Sequence, residues 1–266
     1  MPVLARQCYE LSDYTTPGEY AYLYATLPTG LTELCHLIKQ QFIHPGSLKR
    51  FRDVLPANRA NEDGRFATVE RMLQGLLERN PAGLVNERSP EQRLIVSCRH
   101  HALFLASILK SRGVPARVRV GFAQYVADQP QKHVDHWICE VWNDAEERWM
   151  FVDPDMKMVD FPRAEFELAG DVWLRARAGE VEPYGYGSFP RWGLSSIRDN
   201  LCHDFESVLN HESNYREGPP LFHASFNALQ PTQLVLLDFM AEWLQQPDAN
   251  YDQLIRLRDE RPELRR

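Results

Sequence analysis

Cys98, His136 and Asp153 are the residues of this chain whose types and order suit acyl chemistry. A thiolate attacks carbonyl carbon, an imidazole carries protons at neutral pH, and a carboxylate fixes the imidazole's tautomer and orientation. The apolar spacing Ala102, Leu105, Ala106, Leu109 puts Cys98 at the first turn of a helix that runs to Arg112, with Ser97 at the N-cap position and Gly113 and Pro115 as stop signals. Backbone N–H groups and the helix dipole at that end favour the thiolate.

Positioning the other two groups falls to strands. Ala116, Val118, Val120 and Phe122 alternate with Arg117, Arg119, Gly121 and Ala123, the pattern of a strand with one buried face. Two further strands are expected over Asp135 to Trp142 and Glu147 to Asp153, joined by Asn143-Asp144-Ala145-Glu146. With 143–146 as the loop, Trp142 faces Glu147 and His136 faces Asp153. Opposed residues of an antiparallel pair share a face with Cβ atoms roughly 4.5–5.5 Å apart, within reach of an imidazole–carboxylate hydrogen bond. Asp135 and Asp155 flank these positions, Asp155 being the alternative if the register differs.

The elements around this centre read as helical. Leu31, Leu34, Leu37, Ile38 and Phe42 form one amphipathic face, and Val69, Met72, Leu73, Leu76 and Leu77 a second that stops at Asn80-Pro81. Downstream, helices are expected over Pro162 to Arg177, Ser195 to Leu209 and from Pro231, with an aromatic, glycine-rich loop at Tyr184 to Pro190 and a charged tail, Arg256 to Arg266, expected to fray. A helix followed by antiparallel strands gives an α+β core with helical additions at both ends. The expected organisation is a mainly helical part over 1–90, a catalytic core over 91–160 and a helical elaboration over 161–266, packed as one domain.

The segment Ser97-Cys98-Arg-His-His-Ala-Leu-Phe-Leu-Ala-Ser-Ile-Leu-Lys-Ser-Arg-Gly-Val-Pro-Ala-Arg, then Asp135-His136-Trp-Ile-Cys-Glu-Val-Trp142, then Arg148-Trp-Met-Phe-Val-Asp153-Pro154, resembles the transglutaminase-like superfamily in order, spacing and flanks. Phe166 to Gly187, with Trp173 and Arg177, and Asp199-Asn-Leu-Cys-His-Asp204 are similar to flanks in bacterial members. The resemblance implies a papain-like fold with the nucleophile helix packed on an antiparallel sheet. It also implies an acyl-enzyme on Cys98, with His136 moving the proton and a peptide, an amide metabolite or a carrier-bound acyl group as substrate. Similarly placed glutamines in papain-like enzymes suggest Gln92, six residues before Cys98, as a second oxyanion donor beside the Cys98 N–H.

Other readings of the same residues differ in class. The fold kept as a silent scaffold would bind a protein partner, although such a module has no chemical need for all three groups. His100, His101 and the pair His133-Val-Asp-His136 could form a metal-sensing site with Cys98, but no HExxH, CxxC or carboxylate-histidine signature accompanies them, so no metal is expected, and no GxGxxG or GxxxxGK[ST] suggests a cofactor. Cys8, Cys35, Cys139 and Cys202 read as small buried hydrophobes, and an odd, scattered cysteine set fits reduced thiols in the cytoplasm. A net charge of −7 argues against nucleic acid as a partner, and residues 1–10 lack the apolar run of a signal peptide. No stretch is apolar for long enough to span a membrane. Arg117 and Arg119 are open to two readings, solvent or a substrate carboxylate, as are Trp137, Trp142, Trp149 and Trp173, groove or core. Oligomeric state leaves no mark in the sequence.

Overall fold

The computed structural model describes residues 6–56 and 58–266; residues 1–5 of the segment inspected for a signal peptide lie outside them. In chain order the regular elements are α1 (Leu31–Gln41), β1 (Phe42–Ile43), α2 (Val69–Arg79), β2 (Leu94–Ile95), α3 (Cys98–Ser111), β3 (Ala116–Ala123), β4 (Val134–Asn143), β5 (Arg148–Asp153) and β6 (Met158–Val159). There follow β7 (Phe166–Leu168), α4 (Ala169–Ala178), β8 (Gly187–Ser188), β9 (Arg191–Trp192), α5 (Leu194–Val208), α6 (Pro220–His223), α7 (Pro231–Leu244) and α8 (Tyr251–Glu260). Five strands form one sheet in the order β6-β5-β4-β3-β7, and the architecture is α+β. No helix among the described residues is long and apolar enough to cross a membrane.

The chain divides into two compact units, one holding 8–118 and 138–161, the other 119–137 and 162–266. In the first, the apolar faces of α1 and α2 pack against α3, whose residues Cys98 to Lys110 are all buried. Thr68 caps α2 by accepting the Arg71 N–H, and the helix ends at Asn80 because Pro81 disfavours helical backbone before it. β1 runs parallel to β2 and brings the segment before Cys98 beside the end of α1. Gly113 follows α3 at φ 72°, a conformation that glycine adopts without strain.

Within the second unit, α4, α5 and α7 enclose a core that includes Trp173, Leu201, Phe205, Leu237 and Met240. The helix expected over Pro162 to Arg177 is instead a 3-10 turn at Arg163–Glu165, the strand β7, and then α4. Gly121 explains the strand. A Cβ there would come within 2.2 Å of the Glu167 carbonyl oxygen, so its absence lets β7 close on β3 with Gly121 opposite Leu168 and Phe122 opposite Glu167. β8 lies in the aromatic loop and pairs with β9 just after it, Gly187 opposite Trp192. The charged tail does not fray: α8 and a 3-10 turn at Pro262–Leu264 bury Leu254 and Leu264, and Arg266 pairs with Glu206 at 2.9 Å. An i, i+3 apolar pattern too sparse to stand out in a charged sequence is enough when the core side already exists.

β3 also departs from the one-sided pattern, because both of its faces are buried. Arg117 donates to Glu140 at 2.6 Å and lies over the Trp149 ring, in the first unit. Arg119 makes a bidentate pair with Asp204 in the second. Charge pairing turns the polar half of the alternation into buried surface.

Candidate functional site

Cys98 is the first residue of α3 and is buried. The residue before it is held at every polar group. The Ser97 N–H donates to Asp63 Oδ1 at 2.9 Å, its hydroxyl meets His100 Nδ1 at 3.1 Å, and its carbonyl accepts from His101 Nδ1 at 3.0 Å and from the His100 N–H at 3.0 Å. Ser97 has the extended backbone of an N-cap, yet its side chain caps no N–H of the helix. The sequence-based expectation of a serine cap is met in position and not in function.

Asp153 ends β5 and is fully buried. Its Oδ1 accepts the N–H groups of Asp155 and Met156, at 2.9 and 3.0 Å, which turns the chain sharply after the strand. Asp155 is ion-paired with Lys39 of α1, and its Oδ1 lies 3.4 Å from His101 Nε2. Burial, with the Asp153 charge as a lesser cause, pushes the Cys35 thiol up to about 12. Burial likewise raises Cys139, whose thiol donates to the Ala102 carbonyl at 3.2 Å. Both thiols are therefore protonated core groups, as expected, and none of the five cysteines is in a disulfide.

The β4–β5 register differs from the one counted from the loop. Asn143 faces Arg148, Trp142 faces Trp149 and Cys139 faces Val152, so the connection is 144–147 and Glu147 turns the chain at φ 48°. Asn143 stays in the strand because its side-chain oxygen accepts the Ala145 and Glu146 N–H groups from the turn, at 3.0 and 3.3 Å. The last pair of the ladder is Cys139–Val152, and the same register carried one rung further would set Asp153 opposite Ile138, not His136. The shift is two residues in pairing, an even number, so side-chain parity along both strands is unchanged.

In the second unit, the imidazole of His136 is buried, with the ring of Tyr125 edge-on at 5.9 Å and that of Phe166 at 6.5 Å. Phe166 therefore connects β7 to the histidine, and only the unexpected strand reveals it. Three residues earlier, His133 stacks on Tyr186 at 4.6 Å and its Nδ1 lies 2.5 Å from Glu167 Oε2. Glu167 also accepts from Tyr186 and Arg175, which ties the start of the His136 strand to β7 and α4.

Gln92 closes a 3-10 turn at Pro90–Gln92; its side-chain oxygen accepts from Asn80 at 3.1 Å and its carbonyl from Arg88 at 3.3 Å. The histidines read as metal candidates are all engaged in the hydrogen bonds and ion pairs above. Among the described residues no cluster of three or more His, Cys, Asp or Glu side chains is disposed to hold a metal ion. Trp137 and Trp173 are buried in the second unit, while Trp142 and Trp149 meet edge to face at 5.5 Å in the first. Sequence reasoning missed Asp63, Lys39 and the roles of His100 and His101. The adjacent histidines just after Cys98 were a signal; Asp63 had none, being brought in by the fold.

No curated protein and no solved structure matches the chain. The family model described as the transglutaminase-like superfamily matches residues 89–154, a segment that opens before Gln92 and closes one residue after Asp153. That superfamily typically works by cysteine-based acyl transfer or hydrolysis. Residues 89–154 are thus a transglutaminase-like core, the segment through which the chain is similar to the transglutaminase-like superfamily.

Proposed function

We propose that this protein is a cysteine-dependent acyl-transfer enzyme in which Cys98 is the nucleophile, His136 the general acid and base, and Asp153 the group that orients His136. The observation that carries this reading is the position of Cys98 as first residue of a 14-residue helix inside the matched segment, which also contains His136 and Asp153. A helix of that length offers its N-terminal dipole and N–H groups to a thiolate. Even-numbered residues of β4 lie on one side of its pleat, so His136 and Ile138 share a side, and Ile138 is the residue that Asp153 faces in the extended ladder. The unchanged parity supports the pairing in a diagonal rather than a direct form.

In the reaction, the Cys98 thiolate adds to an amide or thioester carbonyl carbon. The leaving amine or thiol takes a proton from the His136 imidazolium, and a Cys98 thioester remains. Water or an acceptor amine, deprotonated by His136, then attacks that thioester and restores the thiol. The Cys98 N–H and the Gln92 amide are the proposed donors to the oxyanion. Substrates are a peptide, an amide metabolite or a carrier-bound acyl group, and cysteines that form no disulfide suit a cytoplasmic setting.

The test is alkylation of the native protein by limiting iodoacetamide from about pH 5 to about pH 9, with the labelled sites mapped by mass spectrometry. Cys98 is expected to label first and to keep labelling on the acid side of neutrality. His136→Ala and, less severely, Asp153→Asn are expected to move that labelling to higher pH. Labelling of Cys98 no faster than the other thiols, unaffected by either change, would favour the silent scaffold.

A further inference from the structure

Arg59, Arg79, Arg88 and Arg93 gather in the first unit around the segment 88–93 that leads into β2. Arg88 is fully buried, and each of its acceptors is neutral: the Gln41 side-chain oxygen at 2.9 Å and the carbonyls of Leu76 at 3.0 Å, Gln92 at 3.3 Å and Gly83. Arg93 donates from Nε to the Arg88 carbonyl at 2.8 Å and from Nη2 to Gln40 Oε1 at 2.8 Å, again neutral groups. Arg59 and Arg79 share Glu62, at 2.9 and 2.6 Å, and both donate to the Arg93 carbonyl. Among the described residues Glu62 is the one carboxylate paired with any of the four.

The imbalance is one of charge and of hydrogen-bond capacity. A buried charge ordinarily meets an opposite one, because removal from water is costly. Here amide and carbonyl oxygens stand where carboxylates would do that, and four guanidiniums face one carboxylate in a chain whose net charge is −7. Arg88 shows the cost: burial, and then repulsion from Arg79 and Arg93, pushes it down to about 10, which still leaves it cationic at neutral pH. Burial lowers Arg93 as well. A guanidinium also has five N–H groups to satisfy. Arg59 Nε is buried with no acceptor, and no acceptor among the described residues meets Nη1 of the half-buried Arg93. A cluster that served only to brace the chain would be completed by the chain's own carboxylates; this one is left positive and rich in donors.

We propose that these four arginines form a binding site for a phosphate group, with Arg93 Nη1 as the open contact and Arg59, Arg79 and Arg88 as the charge that holds the anion. A phosphate carries about 1.5–2 negative charges at neutral pH, so it offsets more of the excess than one carboxylate does. The planar guanidinium fork also matches its oxygens. Free phosphate and a phosphomonoester present the same group to the site. Cys98, His136 and Asp153 take no part in it, and the proposal goes beyond the acyl-transfer reading without needing it.

The test is calorimetric titration of the full chain, at fixed ionic strength, with orthophosphate, glycerol phosphate and acetate, repeated for Arg93→Gln and Glu62→Gln. Phosphate is expected to bind at a single site, and acetate about tenfold more weakly or less. Arg93→Gln should weaken phosphate about tenfold through loss of a charge-assisted contact. Glu62→Gln should tighten it, because the one competing negative charge is gone. A merely structural cluster would lower the melting temperature of both variants and show no such opposed changes in affinity. Tighter binding of the ester would make the phosphate part of a larger ligand, and tighter binding of orthophosphate would make it a free ion; either order supports the site. No phosphate binding, equal binding of acetate, or an affinity that Arg93→Gln leaves unchanged would overturn it. If Arg93→Gln does not fold, the sign of the Glu62→Gln change decides, and unchanged or weaker binding overturns the proposal. Cys98 alkylation does not enter this readout, so the acyl-transfer reading and the phosphate site fail independently.

Discussion

The two histidines behind Cys98 make the pH dependence of stability a residue-scale question. Both are buried and neutral in the fold but titrate near about pH 6.5 in an unfolded chain. A histidine whose folded pKa is depressed leaves the unfolded state binding more protons, so its contribution is fully present above about 6.5 and is lost as pH falls toward the folded values. These are about 4 for His101 and about 3 for His100. Urea unfolding at successive pH values should show stability falling below about pH 6.5 by about 1.4 kcal/mol per unit for each histidine. His101→Asn should flatten that slope relative to wild type between about pH 6 and about pH 5; an unchanged slope would mean that His101 is already charged in the fold. The candidates Cys98, His136 and Asp153 stand out in the sequence because each comes with distinctive flanks. The surroundings of His100 and His101 do not, since they depend on the partners the fold brings to each ring.

At the scale of elements, the positions of α1, α2, α3, β3, β4 and β5 followed from apolar period and stop signals, while their ends and pairing did not. The β4–β5 register turned on whether Asn143 or Glu147 belongs to the turn, and that depends on an asparagine side chain holding two turn N–H groups. β7 was read as helix because Phe166-Glu-Leu168 is too short to declare a period, and only the space above Gly121 makes it a strand. Arg119 on β3 shows the energetic side of the same limit. Its bidentate partner Asp204, on α5, is wholly buried, and breaking such a pair leaves a charge without compensation. Asp204→Ala is expected to cost about 3–5 kcal/mol in chemical unfolding. Asp238→Ala, which removes the half-exposed partner of Arg177, should cost far less on the pair's own account, though Trp173 also loses its acceptor. Equal effects would show that the Arg119 pair is not the anchor of α5.

Across the whole molecule, the C-terminal residues carry more of the fold than their charge suggests. Leu254 and Leu264 are buried, and Arg266 holds the carbonyls of His211 and Glu212 as well as the Glu206 carboxylate. Ending the chain at Asn250 exposes the surface these side chains cover, and burial of a leucine contributes about 1.5–3 kcal/mol. A truncated protein should therefore melt several degrees lower; an unchanged melting temperature would return the tail to the frayed state expected of it. A chain of 266 residues with 44% hydrophobic content determines by itself that a full core exists, that a helix begins at Cys98, and that helix and antiparallel strands make an α+β core. Those features depend on periods of 3.6 and 2 and on local backbone limits, all of which lie within a few neighbouring residues. The tertiary structure alone decided the β4–β5 register, which charges buried arginines meet, and that the Ser97 hydroxyl meets His100 rather than capping α3. Each of these depends on partners far apart in the chain, whose meeting is a property of packing and leaves no local period to read.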